Sequence, residues 1–222
     1  MLSGQLGFID TPAQGNKRPS SVVWCADNGC FGKGYPGDEA WVDWLRKHVV
    51  DASTCLFATA PDVVGDAAAT LARSLPWLPV IRSLGYPAAF VAQNGIERTA
   101  IPWDAFDCLF LGGSPECLPC AWVRPSGEEW RKVKRCPSCG RLLHEWKLGQ
   151  VAHSLSREAK ARGKWLHMGR VNSGRRYKTA ARMGCDSADG TYVTFGPDEN
   201  LPKLLGWVRG VDNQGALALD FH

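Results

Sequence analysis

Short apolar runs rich in β-branched and aromatic residues alternate along this chain with longer segments whose apolar residues recur at helical spacing. Runs at 6–10, 22–27, 55–60, 88–93, 108–112, 164–168 and 190–195 read as strands. Segments 39–50, 64–74, 148–162, 175–183 and 201–209 read as helices. The strands are almost continuously hydrophobic, as expected of parallel strands covered by helices, so the pattern predicts an α/β fold. Seven or eight such units favour a compact TIM-type (β/α)8 barrel over an open doubly wound sheet. Polar residues recur just after the strands, at Asp27-Asn28-Gly29, Pro61-Asp62, Gln93-Asn94-Gly95, Gly112-Gly113, Gly169-Arg170 and 186–189. In a barrel these ends converge on one rim, where active sites are built. Residues 210–222 offer only a weak last strand, which leaves an incomplete barrel and an open sheet as alternatives.

One stretch breaks this alternation. Cys117-Leu118-Pro119-Cys120 is followed, after fifteen residues, by Cys136-Pro137-Ser138-Cys139. Two such knuckles at this spacing predict one tetrahedral Zn2+ held by four thiolates, closed to catalysis. A metal-built module folds without a large apolar core, so it can sit in a loop of its host. The expected organisation is barrel at 1–114, zinc-ribbon-like module at 115–144 and barrel again at 145–222. The host then carries the chemistry.

Composition fits that division: 222 residues with 45% hydrophobic content are enough for one sizeable core plus an insert. The nine cysteines do not imply disulfides, because the first residues lack a basic segment followed by an apolar one. A reduced, cytoplasmic setting is expected. No run approaches the roughly 20 apolar residues of a membrane span, so no membrane partner is expected. The net charge of +4 is mild, but cations cluster at Arg131, Lys132, Lys134 and Arg135 and again at Arg170, Arg175, Arg176, Lys178 and Arg182. With Trp122, Arg124 and Trp130, the insert combines aromatic faces for bases with cations for phosphates. A solvated basic face on a structural knuckle is the plain alternative.

The rim segments form an ordered series. Ala26-Asp27-Asn28-Gly29-Cys30-Phe31, Val91-Ala92-Gln93-Asn94-Gly95, Leu111-Gly112-Gly113-Ser114, His167-Met168-Gly169-Arg170-Val171 and 184–189 resemble, in order, motifs of the tRNA-guanine transglycosylases. Segments 57–66 and 195–198 are similar to the shorter relatives that insert 7-deazaguanine bases into DNA in phages and bacteria. The resemblance spans roughly residues 22–195. It departs from the tRNA enzymes in two places: no Pro-Thr-Arg segment follows residue 189, and no cysteine lies beyond Cys185. The cysteine knuckles therefore do not correspond to that family's usual metal site.

The resemblance implies exchange of guanine in DNA for a 7-deazaguanine base such as 7-cyano-7-deazaguanine, at an unbroken backbone. Such exchange needs two carboxylates. One attacks the anomeric carbon and holds the sugar covalently, as in retaining glycosidases; by resemblance this is Asp189. The other moves protons on and off the bases; by resemblance this is Asp27. Asp62, with Asp66 as substitute, and Gln93 and the amides of Gly112 and Gly113 stand where the base would be recognised, and Met168 where it would be stacked upon. Each has an ordinary structural reading: Asp189 as a turn residue, Asp27 as an Asx-turn, Asp62 as a helix cap, and Met168 as core. Two other functions stay open, a transglycosylase acting on RNA and a non-catalytic zinc-dependent nucleic-acid-binding protein. So does the oligomeric state, monomer or homodimer.

Overall fold

The structure, a computed structural model, describes residues 6–218 except 14, 16, 21, 33, 128, 130 and 131, with the backbone alone over 212–218. Trp130 and Arg131, expected among the nucleic-acid contacts, lie outside the described residues. Seven parallel strands form the main sheet: β1 Phe8–Asp10, β2 Trp24–Ala26, β3 Cys55–Thr59, β4 Ala88–Ala92, β5 Cys108–Leu111, β9 Trp165–Met168 and β10 Ser187–Ala188. Their order across the sheet is their order along the chain. Every crossover thus runs to the next position, as in a barrel wall rather than a doubly wound sheet. A second, antiparallel sheet of β6 Pro115–Cys117, β7 Trp122–Val123 and β8 His144–Glu145 interrupts the series between β5 and β9.

The main sheet is curled into a half-barrel. Strands β3 and β9 are three places apart, or about 14 Å in a flat sheet, yet the rings of Phe57 and His167 on them approach to 4.9 Å between centroids. Alternation sorts the side chains. Trp24, Ala26, Ala58, Phe90, Leu109, Leu111, Leu166 and Met168 belong to the large outer core. It also holds Trp41, Val42 and Leu45 of α1 Asp38–Lys47, Leu78 and Ile81 of α3 Leu78–Ser83, and Ala152, Leu155 and Ala159 of α4 Gln150–Ala161. The residues between them face inward, where Cys25, Phe57, Ala89 and Cys108 are buried with Phe110 and Trp165 against them. Removing a fully enclosed ring such as Phe57 would cost about 3–5 kcal/mol.

Helix boundaries follow from capping. Helix α2 Ala67–Ser74 starts three residues later than the hydrophobic pattern suggests, because Asp66 is its N-cap and accepts a 2.9 Å bond from the Ala69 amide. Asp66 is thereby taken up as a cap rather than left to receive a base. Ser173 likewise caps α5 Gly174–Arg182. Helix α3, unforeseen in the sequence, opens with Pro79 in its first turn. At the C-terminal end, the expected strand at 190–195 is replaced by the two-residue β10 just before it. Gly190 lies so close to Val171 and Asn172 that a Cβ there would stand 2.5 Å from Asn172 Oδ1. Of the residues expected to form a weak last strand, 210–218 are helical instead, in α6 Pro197–Ala218, and the rest lie outside the described residues. Among the described residues β1 and β10 do not pair, and no helix is long and apolar enough to cross a membrane.

Candidate active site

The inward positions of the strands continue past their C-terminal ends into a cavity of about 420 Å³. Asp27 continues the Cys25 face of β2, Thr59 and Asp62 follow from β3, Gln93 from β4, Phe110 and Gly112 from β5, Gly169 from β9 and Asp189 from β10. Asp27 and Asp189, separated by five strand positions or about 24 Å in a flat sheet, line this one cavity because the sheet curls.

Their environments push them apart. Burial is the largest influence on Asp27 and raises its carboxyl to about 7; the Asp189 and Asp62 charges add to the rise, while a 2.9 Å bond from the Gly29 amide opposes it. That bond is the Asx-turn the local sequence suggests, and it aims the carboxyl rather than consuming it. For Asp189, burial also acts upward, but the hydrogen bond and charge of His167, the Lys147 charge and the Arg170 amide outweigh it and hold the carboxyl below its usual range. The distances are 3.1 Å from His167 Nε2 and 3.2 Å from the Arg170 amide to Asp189 Oδ1. Two acids with opposite shifts in one cavity suit different roles, one proton-bearing and one ionised.

Behind Asp189 stands a relay that the sequence analysis assigned no role. Trp165 Nε1 donates to Ser187 Oγ at 2.8 Å, Ser187 Oγ meets His167 Nδ1 at 2.7 Å, and His167 Nε2 meets Asp189. An ionised carboxylate only accepts, so Nε2 carries a proton, and the Ser187 hydroxyl, able to donate or accept, meets Nδ1. The signal was available: His167 is polar on the inward parity of a buried strand. Asn28 was also missed. Its side chain donates to Ala60 O at 2.8 Å and Asp62 Oδ1 at 3.1 Å and accepts from the Cys30 amide, tying the loop after β2 to that after β3.

The expected base-binding residues divide. Asp62 and Gln93 are both buried against the cavity and joined by a 2.7 Å bond from Gln93 Nε2 to Asp62 Oδ2. Burial raises Asp62, against the bonds from Asn28 and Gln93. Gln93 Oε1 already accepts from the amides of Gly65 at 2.8 Å and Gly113 at 3.0 Å, so Gln93 positions Asp62 and stitches three loops. The two glycine amides do not fill the expected donor role. The Gly112 amide extends the ladder to Ala92 O at 3.1 Å and the Gly113 amide is held by Gln93. Gly112 still lines the cavity, and a Cβ there would meet Val91 at 2.8 Å. Gly113 (φ +66°) lies against the Trp146 ring instead. Met168 is also corrected: it sits in phase with Leu166, fully buried in the outer core, and cannot stack on anything in the cavity. Phe110, Phe31 and the exposed Phe195 are the rings that do line it.

In the insert, the thiol sulfurs of Cys117, Cys120, Cys136 and Cys139 lie within 4.8 Å of one another, with Cys117 and Cys139 at 3.6 Å. Four thiolates on one tetrahedral ion stand about 3.8 Å apart, so the donor set fits a metal ion. The Arg135–Leu142 bridge and the bonds Cys136 N to Arg141 O and Gly140 N to Cys136 O at 2.8 Å fold the second knuckle.

No protein-family model matches the chain, and no curated protein does. Among solved structures it is similar to the Bacillus subtilis YkuI protein, which has an EAL domain and was solved with c-di-GMP and calcium. The TM-score is 0.41 and the identity 15%, over 80% of this chain and 38% of that one. This chain thus spans well under half the length of that protein.

Proposed function

We propose that this protein exchanges guanine in DNA for a 7-deazaguanine base, with Asp189 as nucleophile and Asp27 as proton carrier. The observation that carries this reading is the meeting of the two acids, with opposite pKa shifts, on one cavity of about 420 Å³, large enough for a nucleotide. Ionised Asp189 attacks C1′ as the C1′–N9 bond breaks, and the departing guanine takes the proton held by Asp27. The incoming base returns a proton to Asp27 as its nitrogen attacks C1′, breaking the Asp189–sugar bond and restoring both acids. A proton carrier near pH 7 serves both directions. Asp62, fixed by Asn28 and Gln93, receives the N–H edge of the base, while the Phe110 side offers an apolar wall.

The metal held by the four cysteines is zinc in a structural role, with no open coordination position. A duplex hides the bond to be broken, so the target nucleotide is flipped into the cavity. Mass analysis of nucleosides from DNA incubated with the protein and a panel of deazaguanines tests the assignment. Incorporation of a deazaguanine into DNA is expected. Incorporation into RNA alone would move the substrate to RNA, and tight salt-sensitive DNA binding without base release would leave a binding protein.

A further inference from the structure

Where the insert meets the half-barrel, a second cavity of about 140 Å³ adjoins the first. Its walls carry Arg124 from the insert, Arg170 from the rim, Arg176 from α5 and Lys147 from the segment before α4, and among the described residues that line it Glu145 is the one carboxylate. Glu145 forms a close ion pair with Arg176. The two most enclosed cations are anchored by backbone carbonyls: Lys147 Nζ donates to Gly169 O at 2.5 Å and Arg170 to Gly113 O at 2.6 Å, its guanidinium 3.8 Å above the Phe31 ring. Carbonyls satisfy donors without cancelling charge, so positive charge accumulates in the groove. Burial, followed by the Arg170 charge, pushes Lys147 down to about 7, and burial followed by the Arg124 charge lowers Arg170, with Asp189 and Glu145 opposing it.

Two neighbours say what occupies it. Arg170 and Asn172 line this cavity and the Asp27–Asp189 cavity alike. On the other side, Glu145, Trp146 and Arg176 are shared with an open groove of about 810 Å³ running past Leu118, Gln150 and Arg175. A nucleotide-sized hollow, a small cationic niche and a long groove therefore follow one another without a break.

We infer that Arg124, Arg170, Arg176 and Lys147 form a phosphodiester subsite that grips the polynucleotide backbone beside the nucleotide in the cavity, the strand leaving along the groove between insert and α4. A single-charged phosphodiester fits a niche of this volume, and bidentate guanidiniums are the groups that fix such oxygens. The choice of a polynucleotide rests on the proposed base exchange, but the subsite is read by binding and needs no turnover.

The test is the affinity of a guanine-containing single-stranded oligodeoxynucleotide, followed against salt. Arg124→Gln should weaken binding roughly tenfold and flatten the slope of log K against log[salt] by about 0.7. Glu145→Gln, which removes the opposing carboxylate, should tighten binding, a gain that misfolding cannot produce. Replacing one phosphodiester beside the guanosine by a neutral methylphosphonate should weaken binding to the wild type more than to Arg124→Gln, which keeps the other three cations. The proposal is overturned if Glu145→Gln binds no tighter, or if methylphosphonate substitution costs both proteins equally at every position. It is also overturned if inorganic phosphate or dGMP, but no oligonucleotide, binds in an Arg124-dependent way, since the niche then holds a free phosphate. Oligonucleotide binding with these signatures but no base exchange would retain the subsite and remove the transglycosylase reading.

Discussion

Replacing Asp27 by Asn should make the protein more stable above neutral pH while abolishing the proposed base exchange. An ordinary aspartate titrates at 3.8 and Asp27 at about 7. Between those values the unfolded chain has lost this proton and the folded chain keeps it, so the residue's contribution to stability falls as pH rises through the window. Above it, the folded state carries a buried charge. About three pH units at about 1.4 kcal/mol each give about 4 kcal/mol, and the partial exposure of Asp27 to cavity water reduces this to about 2 kcal/mol. Asparagine matches the neutral acid in shape, keeps an oxygen for the Gly29 amide, and does not titrate. The stability difference between variant and wild type should therefore be small near pH 4.5 and widen to about 2 kcal/mol at pH 8, or about 4–8 °C in melting temperature for a chain of this length. Urea unfolding at steps across that range measures it. A difference that stays flat, or a variant less stable at pH 8, refutes the placement of Asp27 in a low-dielectric pocket.

Three further outcomes follow from the same geometry. His167→Phe keeps the ring contacts with Phe57 and Phe110 but removes the donor that helps hold the Asp189 carboxyl low, so the acid limb of the proposed base-exchange pH profile should move upward; an unmoved limb would show that His167 only fills space. The protein should carry one zinc ion by elemental analysis, and Cys120→Ser or a chelator should remove it and lower thermal stability; a metal-free wild type of equal stability would contradict the cluster in the insert. Gly113→Ala places a methyl at 2.3 Å from the Trp146 ring on a φ of +66°, which should cost about 2 kcal/mol or more in thermal unfolding, and a neutral result would count against the packing of insert on rim.

Much of the site follows from strand parity that the sequence carries openly. Cys25 and Asp27, Phe57 and Thr59, Val91 and Gln93, and Phe110 and Gly112 share phases, and the run of polar residues after each strand marks the rim they converge upon. The same parity, applied to 165–168, assigns Met168 outward with Leu166 and His167 inward, against the role the family pattern suggests. What the pattern could not carry depends on contacts distant in sequence. The two-residue β10 is set by Gly190 meeting Val171 and Asn172, and the last segment becomes α6 because its apolar residues suit either element. The Gly113 amide is claimed by Gln93, twenty residues away. The meeting of Asp27 with Asp189 depends on how strongly the sheet curls, a property of side-chain volumes on both faces that no single segment encodes.

In the proposed reaction Asp189 holds the sugar while bases are exchanged across from Asp27. Incubating the protein with a guanine-containing oligodeoxynucleotide, quenching in denaturant and mapping the cross-linked peptide by mass spectrometry tests this directly. A DNA adduct is expected on Asp189, absent from Asp189→Asn and lost when excess deazaguanine completes the exchange. An adduct that persists in Asp189→Asn, or maps to another residue, contradicts this role.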